Sequence, residues 1–190
     1  MSKTIMNKTI IYSLVTTLCF CVACSKPQDP FEISKQHVGL LTDSTQVKDL
    51  KLIFSNDSIV RHIGGDEFTG NKNNIEILDK SGKKLLVLEP SEALDSTSVI
   101  QSVQIIDKRY KTDKNISKLS TFKDIDNNYK ISRIDNLINS IVVTVKSLNA
   151  SFTIDKKELP SNLRLDMDLQ IEATHIPDNA KIKYFFINWH

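Results

Sequence analysis

The sequence predicts an α+β chain of two tandem units, each a helix followed by an antiparallel sheet, carried behind an N-terminal export segment. Three observations predict it. Residues 1 to 24 join a basic start to a short apolar run. A short amphipathic pattern then occurs twice, 75 positions apart, as Thr45-Gln46-Val47-Lys48-Asp49-Leu50-Lys51-Leu52-Ile53-Phe54 and as Ser120-Thr121-Phe122-Lys123-Asp124-Ile125-Asp126-Asn127-Asn128-Tyr129. Each copy reads hydroxyl, any residue, apolar, Lys, Asp, branched apolar, three of any kind, aromatic, and strand-like runs follow each.

The export segment comes first. Lys3 and Lys8 make a positive start, and Thr9 to Ala23 is largely apolar. That run is shorter than the ~20 apolar residues a bilayer span needs, so it reads as a secretory signal over residues 1–23. It ends Cys21-Val22-Ala23-Cys24. These residues resemble the lipobox of bacterial lipoproteins, with Cys21 where Leu is usual. The resemblance implies cleavage before Cys24 and acylation of Cys24 with palmitate-type chains. It further implies a membrane partner through the lipid and residence in the cell envelope. Ser25 after the Cys permits outer-membrane sorting by the enterobacterial pattern.

All three cysteines, Cys19, Cys21 and Cys24, lie in this region. The mature chain is therefore expected to form no internal disulfide and to offer no catalytic thiolate. Removing Lys3 and Lys8 lowers 25 basic residues to 23, against 23 acidic ones. A neutral mature chain without a basic stripe argues against nucleic acid as a partner. The densest basic stretch, Lys108-Arg109-Tyr110-Lys111, reads as a solvated connector. Residues 24–30 are the lipidated Cys and a tether with two prolines, and the six residues from Ser25 to Pro30 reach at most ~20 Å.

The first unit is expected over 31–113. Phe31 to Leu41 leads into a helix whose N-cap candidates are Thr42 to Thr45, and whose buried face is Val47, Leu50, Ile53 and Phe54. Ser58 to Ile63 is a strand. Ile75–Leu78 and Leu85–Leu88 flank Lys80-Ser81-Gly82-Lys83, a hairpin with Gly supplying the positive φ. Ser102 to Asp107 is a further strand. The second unit, 114–190, repeats the order. Ser120 caps a helix with Phe122, Ile125 and Tyr129 on one face. Ile131 to Ile134 is strand-like, and Ile141–Val145 and Phe152–Ile154 flank the turn Ser147–Ala150. Leu169, Ile171 and Ala173 alternate with Gln170, Glu172 and Thr174 as a half-buried strand, and Lys181 to Trp189 is the last strand.

Over 40–190 this order is similar to the β-lactamase inhibitor protein fold, which repeats a helical segment and a four-stranded antiparallel sheet. Small lipoproteins of the outer-membrane assembly machinery carry one such unit.

No catalytic constellation emerges, and the chain reads as not an enzyme. Gly64-Gly65-Asp66-Glu67-Phe68 spells the diguanylate cyclase signature without its context, since a polar run, Thr69 to Asn74, follows it. Asp124 to Asn128 resembles the start of a calcium loop, but Tyr129 stands where the loop needs Gly. His37, His62, His175 and His190 share no ligand spacing, so no metal and no cofactor is expected. Tyr184, Phe185, Phe186 and Trp189 read as core and sheet-face residues. The expected function is a membrane-anchored envelope module that binds an unidentified envelope protein. Thr153, Gln170 and Glu172 are placed on its free sheet face, above inward-facing Phe152, Ile154, Leu169 and Ile171. The alternatives are an exported small-ligand carrier or enzyme with a pocket between the units, and a purely structural envelope protein.

Overall fold

The computed structural model describes residues 28–62, 73–166 and 168–189. Three two-residue strands come first: β1 (Glu32–Ile33), β2 (His37–Val38) and β3 (Leu41–Thr42). A 3-10 turn, Val47–Asp49, runs into a four-residue helix α1 (Leu50–Ile53). A meander follows: β4 (Ser58–Arg61), β5 (Ile75–Leu78), β6 (Lys84–Pro90) and β7 (Ile100–Ile105). After β8 (Lys111–Thr112) and α2 (Phe122–Asn128) come β9 (Arg133–Asn136), β10 (Ser140–Val145), β11 (Ala150–Asp155) and, after several 3-10 turns, β12 (Ile182–Asn188).

Eight strands make one antiparallel sheet in the order β4-β5-β6-β7-β12-β11-β10-β9. Alternation decides which side chains go inward, because successive residues of a strand point to opposite faces. The inward set is Ile75 and Ile77 of β5, Leu86 and Leu88 of β6, Val103 and Ile105 of β7, and their counterparts on β10, β11 and β12, all buried. Phe152 and Phe185 lie opposite one another on β11 and β12, with ring centroids 4.6 Å apart. Burying each such side chain contributes about 1.5–3 kcal/mol. An irregular layer covers this face. It supplies Ile33, Val38, Leu41, Leu50, Ile116, Phe122, Ile125 and Leu159 to the same core. A small sheet in the order β3-β2-β1-β8, with β1 and β8 parallel, belongs to that layer.

This corrects the expected architecture of two helix-plus-sheet units. The protein is β-rich and its eight main strands are continuous. The edges that two separate sheets would leave open, β7 and β12, pair with each other through Gln104–Phe186, Val103–Ile187 and Ser102–Asn188. An open strand edge leaves backbone donors and acceptors without partners, and the fusion satisfies them.

The helices are smaller than the periodicity suggests. The Val47 and Lys48 amides donate to the carbonyls of Ser98 and Ser96, which ties this stretch to the β6–β7 connection instead of to a longer helix. Val47, Leu50 and Phe54 are nevertheless buried. In α2 the N-cap is Thr121 rather than Ser120, and its amide donates to the Asp124 carboxylate at 2.7 Å. Both hairpins form where expected, with Gly82 at φ 81° and Asn149 at φ 53°.

The stretch Phe31–Leu41 forms short strands rather than a simple lead-in. Lys108, Arg109 and Lys111 are exposed, as expected of a solvated connector, but Tyr110 is buried and Lys111 opens β8. The expected strand through Leu169, Ile171 and Ala173 is absent. Residues 169–172 are irregular, and Ala173–His175 is a 3-10 turn. The Asn136 side-chain amide donates to the carbonyls of Asp166 and Leu169. The segment is thus tied to β9 by a side chain and not by a strand ladder.

Candidate functional site

The outward face of the eight-stranded sheet is the candidate site. One row of residues crosses all eight strands in register: Val60, Glu76, Val87, Gln104, Phe186, Ser151, Thr144 and Arg133. At about 4.8 Å per strand this row spans about 34 Å. Every member is exposed or half-buried, whereas the opposite face is buried on the six inner strands and half-buried at Ile59 and Ile134 of the two edge strands.

The chemistry of the face is mixed. At its centre Tyr184 and Phe186 of β12 project outward, with ring centroids 6.2 Å apart. Tyr184 is 41% exposed. Around them a polar chain holds the seam. The Ser102 hydroxyl donates to Asn188 Oδ1 at 3.1 Å, and Asn188 Nδ2 donates to Ser151 Oγ at 3.0 Å. On β5 and β6 the Lys84 ammonium pairs with the Glu76 carboxylate, and His62 Nε2 lies 3.5 Å from the same oxygen. Glu76, Lys84, Val87, Gln104, Tyr184 and Phe186 line a shallow open depression. Such a surface matches the apolar centre and polar rim of a protein contact better than a small-molecule site.

Of the three residues placed on the free face by the sequence, Thr153 is there, paired between Val142 and Tyr184. Gln170 and Glu172 are exposed but sit on the irregular segment, where the Glu172 amide donates to His175 Nδ1. The structure does not bring them onto the strand face with Thr153. The run through Tyr184, Phe185, Phe186 and Trp189 is expected to supply core and sheet-face residues, and the structure turns Phe185 inward and Tyr184 and Phe186 outward. The available signal was the run Tyr184-Phe185-Phe186: a strand can turn only alternate members inward. Cys24 and the stretch Gly64–Phe68 lie outside the described residues. Asp124 to Asn128 is helical. Among the described residues no three His, Cys, Asp or Glu side chains converge.

Two further features frame the face. Beneath Pro90 and Leu94 a partly open cavity of about 120 Å³ is lined by Val47, Arg61, His62, Ile75 and Asp95, smaller than the ~300 Å³ at which ligand pockets begin. At one end of the sheet, Asp107 is buried and accepts from Lys83 Nζ (2.6 Å) and Arg109 Nε (3.0 Å). Burial alone would raise its pKa, but the Arg109 and Lys83 hydrogen bonds overcome this and hold the carboxyl down at about 2. This cluster clamps the β5–β6 turn onto the end of β7. Arg109 also lies over the Phe31 ring, 4.6 Å from its centroid.

No family model matches the chain, and no curated protein is significantly similar in sequence. Among solved structures, the uncharacterized protein YfeY from Escherichia coli is similar over 83% of this chain and 99% of its own, at 14% identity and a TM-score of 0.54. That likeness is one of fold alone.

Proposed function

We propose that the chain is a membrane-anchored envelope lipoprotein without catalysis of its own, whose open sheet face binds another protein. The observation that carries this reading is a sheet face that no described residue covers: a register-matched row across eight strands with Tyr184 and Phe186 at its centre. Antiparallel sheets tolerate one solvated face, but solvation alone does not call for paired outward aromatics. Aromatic residues are enriched where protein contacts are dry at their core. The anchor follows from Cys24 and its apolar run. It would hold the domain in the envelope, outer membrane preferred, where a tethered domain meets neighbours at high effective concentration.

Site-specific photocrosslinking in intact envelopes tests this. A crosslinker at Thr153 or Tyr184 should capture one discrete protein, and Phe186→Ala should abolish capture without lowering Tm. A crosslinker at Gln170 or Glu172, off the face, should capture it weakly. Equal capture from all positions, or none from the face, would overturn the assignment of this surface. Independently, Cys24→Ala should eliminate acylation.

A further inference from the structure

We propose that the end of the sheet carrying the β9–β10 turn rests on an anionic lipid surface, an inference that builds on the acylated Cys24 of the preceding reading. At this turn Ile138 is 75% exposed, and nearby Leu165 is 91% exposed. The two line one shallow depression with Lys157, Arg164, Lys183 and Asp155. Large aliphatics held out in water beside several cations have the composition of a membrane-interface contact. The side chains enter the headgroup boundary while Lys and Arg meet lipid phosphates.

Asp168 also lies near Leu165 and is exposed, whereas the two other acids of this end, Asp155 and Asp166, are engaged. Asp155 lies 3.2 Å from Lys183 Nζ and 3.8 Å from Lys157 Nζ. The Lys157 backbone N–H and the Lys183 ammonium hold its carboxyl below the ordinary carboxylate range. Asp166, next to Leu165, accepts the backbone amides of Asp168 and Leu169.

The strand registers orient this end. Asn136, Ile141, Ile154 and Ile182 form one level across β9, β10, β11 and β12. The antiparallel pairing of β12 with β7 brings that level to the Ile105 end of β7, where Leu86 pairs from β6. The β5–β6 turn and the β9–β10 turn therefore lie at the same end of the sheet. Here too the chain enters the fold: the Phe31 ring packs on Tyr110 at 5.2 Å and under Arg109, and Pro30 and Phe31 line one depression with Asp79 of the β5–β6 turn. Cys24 precedes Gln28 by four residues, at most about 14 Å of extended chain. An acyl anchor there turns this end, and Ile138 with it, toward the bilayer. The opposite end, marked by exposed Leu94 on the β6–β7 connection, points away.

The acylated full chain, reconstituted in vesicles of phosphatidylglycerol and phosphatidylethanolamine, tests the inference. Ile138→Cys, Leu165→Cys and Leu94→Cys each carry a fluorophore, and brominated acyl chains in the bilayer act as quencher. Quenching is expected at 138 and 165 and not at 94. It should fall when phosphatidylcholine alone replaces the mixture, or when salt shortens the screening length from ~10 Å at 0.1 M to ~3 Å at 1 M. Combined Lys157→Glu, Arg164→Glu and Lys183→Glu should reduce it likewise, since each cation is worth about fivefold in partitioning onto an anionic surface. Equal quenching at all three sites, or none at 138 and 165 in chain that floats with the vesicles, overturns the inference and leaves the anchor standing. Chain that fails to float overturns both. Shielding of 138 that appears only on adding envelope proteins would make this a protein contact and refute the lipid assignment.

Discussion

Asp107 shows how one side chain sets a pH limit. Its folded pKa of about 2 lies below the ordinary 3.8. A depressed carboxylate contributes stability that is fully present above the unfolded pKa and is lost as pH falls through the folded one. Stability should therefore decline between about pH 4 and pH 2, and Asp107→Asn should flatten that decline in urea titrations at a series of pH values. Lys83→Ala should cost about 1.5–3 kcal/mol, the usual contribution of a hydrogen bond to a charged group. Gly39 makes a second residue-scale case. It sits at φ +56°, and a Cβ there would run into the Pro30 carbonyl oxygen. Its own carbonyl accepts from Gln28 Nε2 at 3.0 Å, so it clasps the incoming tether. Gly39→Ala should cost at least ~1 kcal/mol and expose the chain near Gln28 to protease, read by limited proteolysis and Tm.

At the scale of elements, the two short helices matter through single buried anchors. Leu50 and Ile125 are both fully buried, so replacement of either by Ala should cost ~2–5 kcal/mol in equilibrium unfolding. Asp124→Ala removes the carboxylate that receives the Thr121 amide and should cost ~1 kcal/mol. The β10–β11 turn has a different dependence. Asn149 occupies the left-handed region at φ 53°, where Gly is tolerated and a β-branched residue is not. Asn149→Gly should leave Tm nearly unchanged, while Asn149→Val should lower it.

For the whole molecule, the seam between β7 and β12 makes one sheet and one core. Thermal unfolding should accordingly be a single cooperative transition, with calorimetric and van't Hoff enthalpies equal. Two resolved transitions that divide near residue 113 would show that the halves are energetically separate despite the shared sheet. The same continuity gives the outward face its reach, since neither four-stranded half spans the full row from Val60 to Arg133.

Local patterns were legible wherever a residue's own neighbours decide its state. The hairpins around Gly82 and Asn149, the alternation in Ser140–Val145 and Ala150–Asp155, and the buried positions Leu50, Phe122 and Ile125 follow from side-chain period and turn chemistry. Thr153 was placed on the free face for the same reason. What local pattern could not decide is which edges meet. Backbone hydrogen bonding between strands is nearly blind to side-chain identity, so nothing in Ile182–Asn188 announces that it inserts between β7 and β11. The short length of α1 was equally hidden, because its limiting bonds run to Ser96 and Ser98, some fifty residues away. Gln170 and Glu172 alternate like strand residues in the sequence, yet their segment is irregular and meets β9 through the Asn136 side chain at the Leu169 carbonyl. The amino-acid pattern by itself determined most of the buried side chains, Leu50, Phe122 and Ile125 among them, though not Tyr110. Only the tertiary pairing of strands decided that they share one sheet, with a far face that no described residue covers.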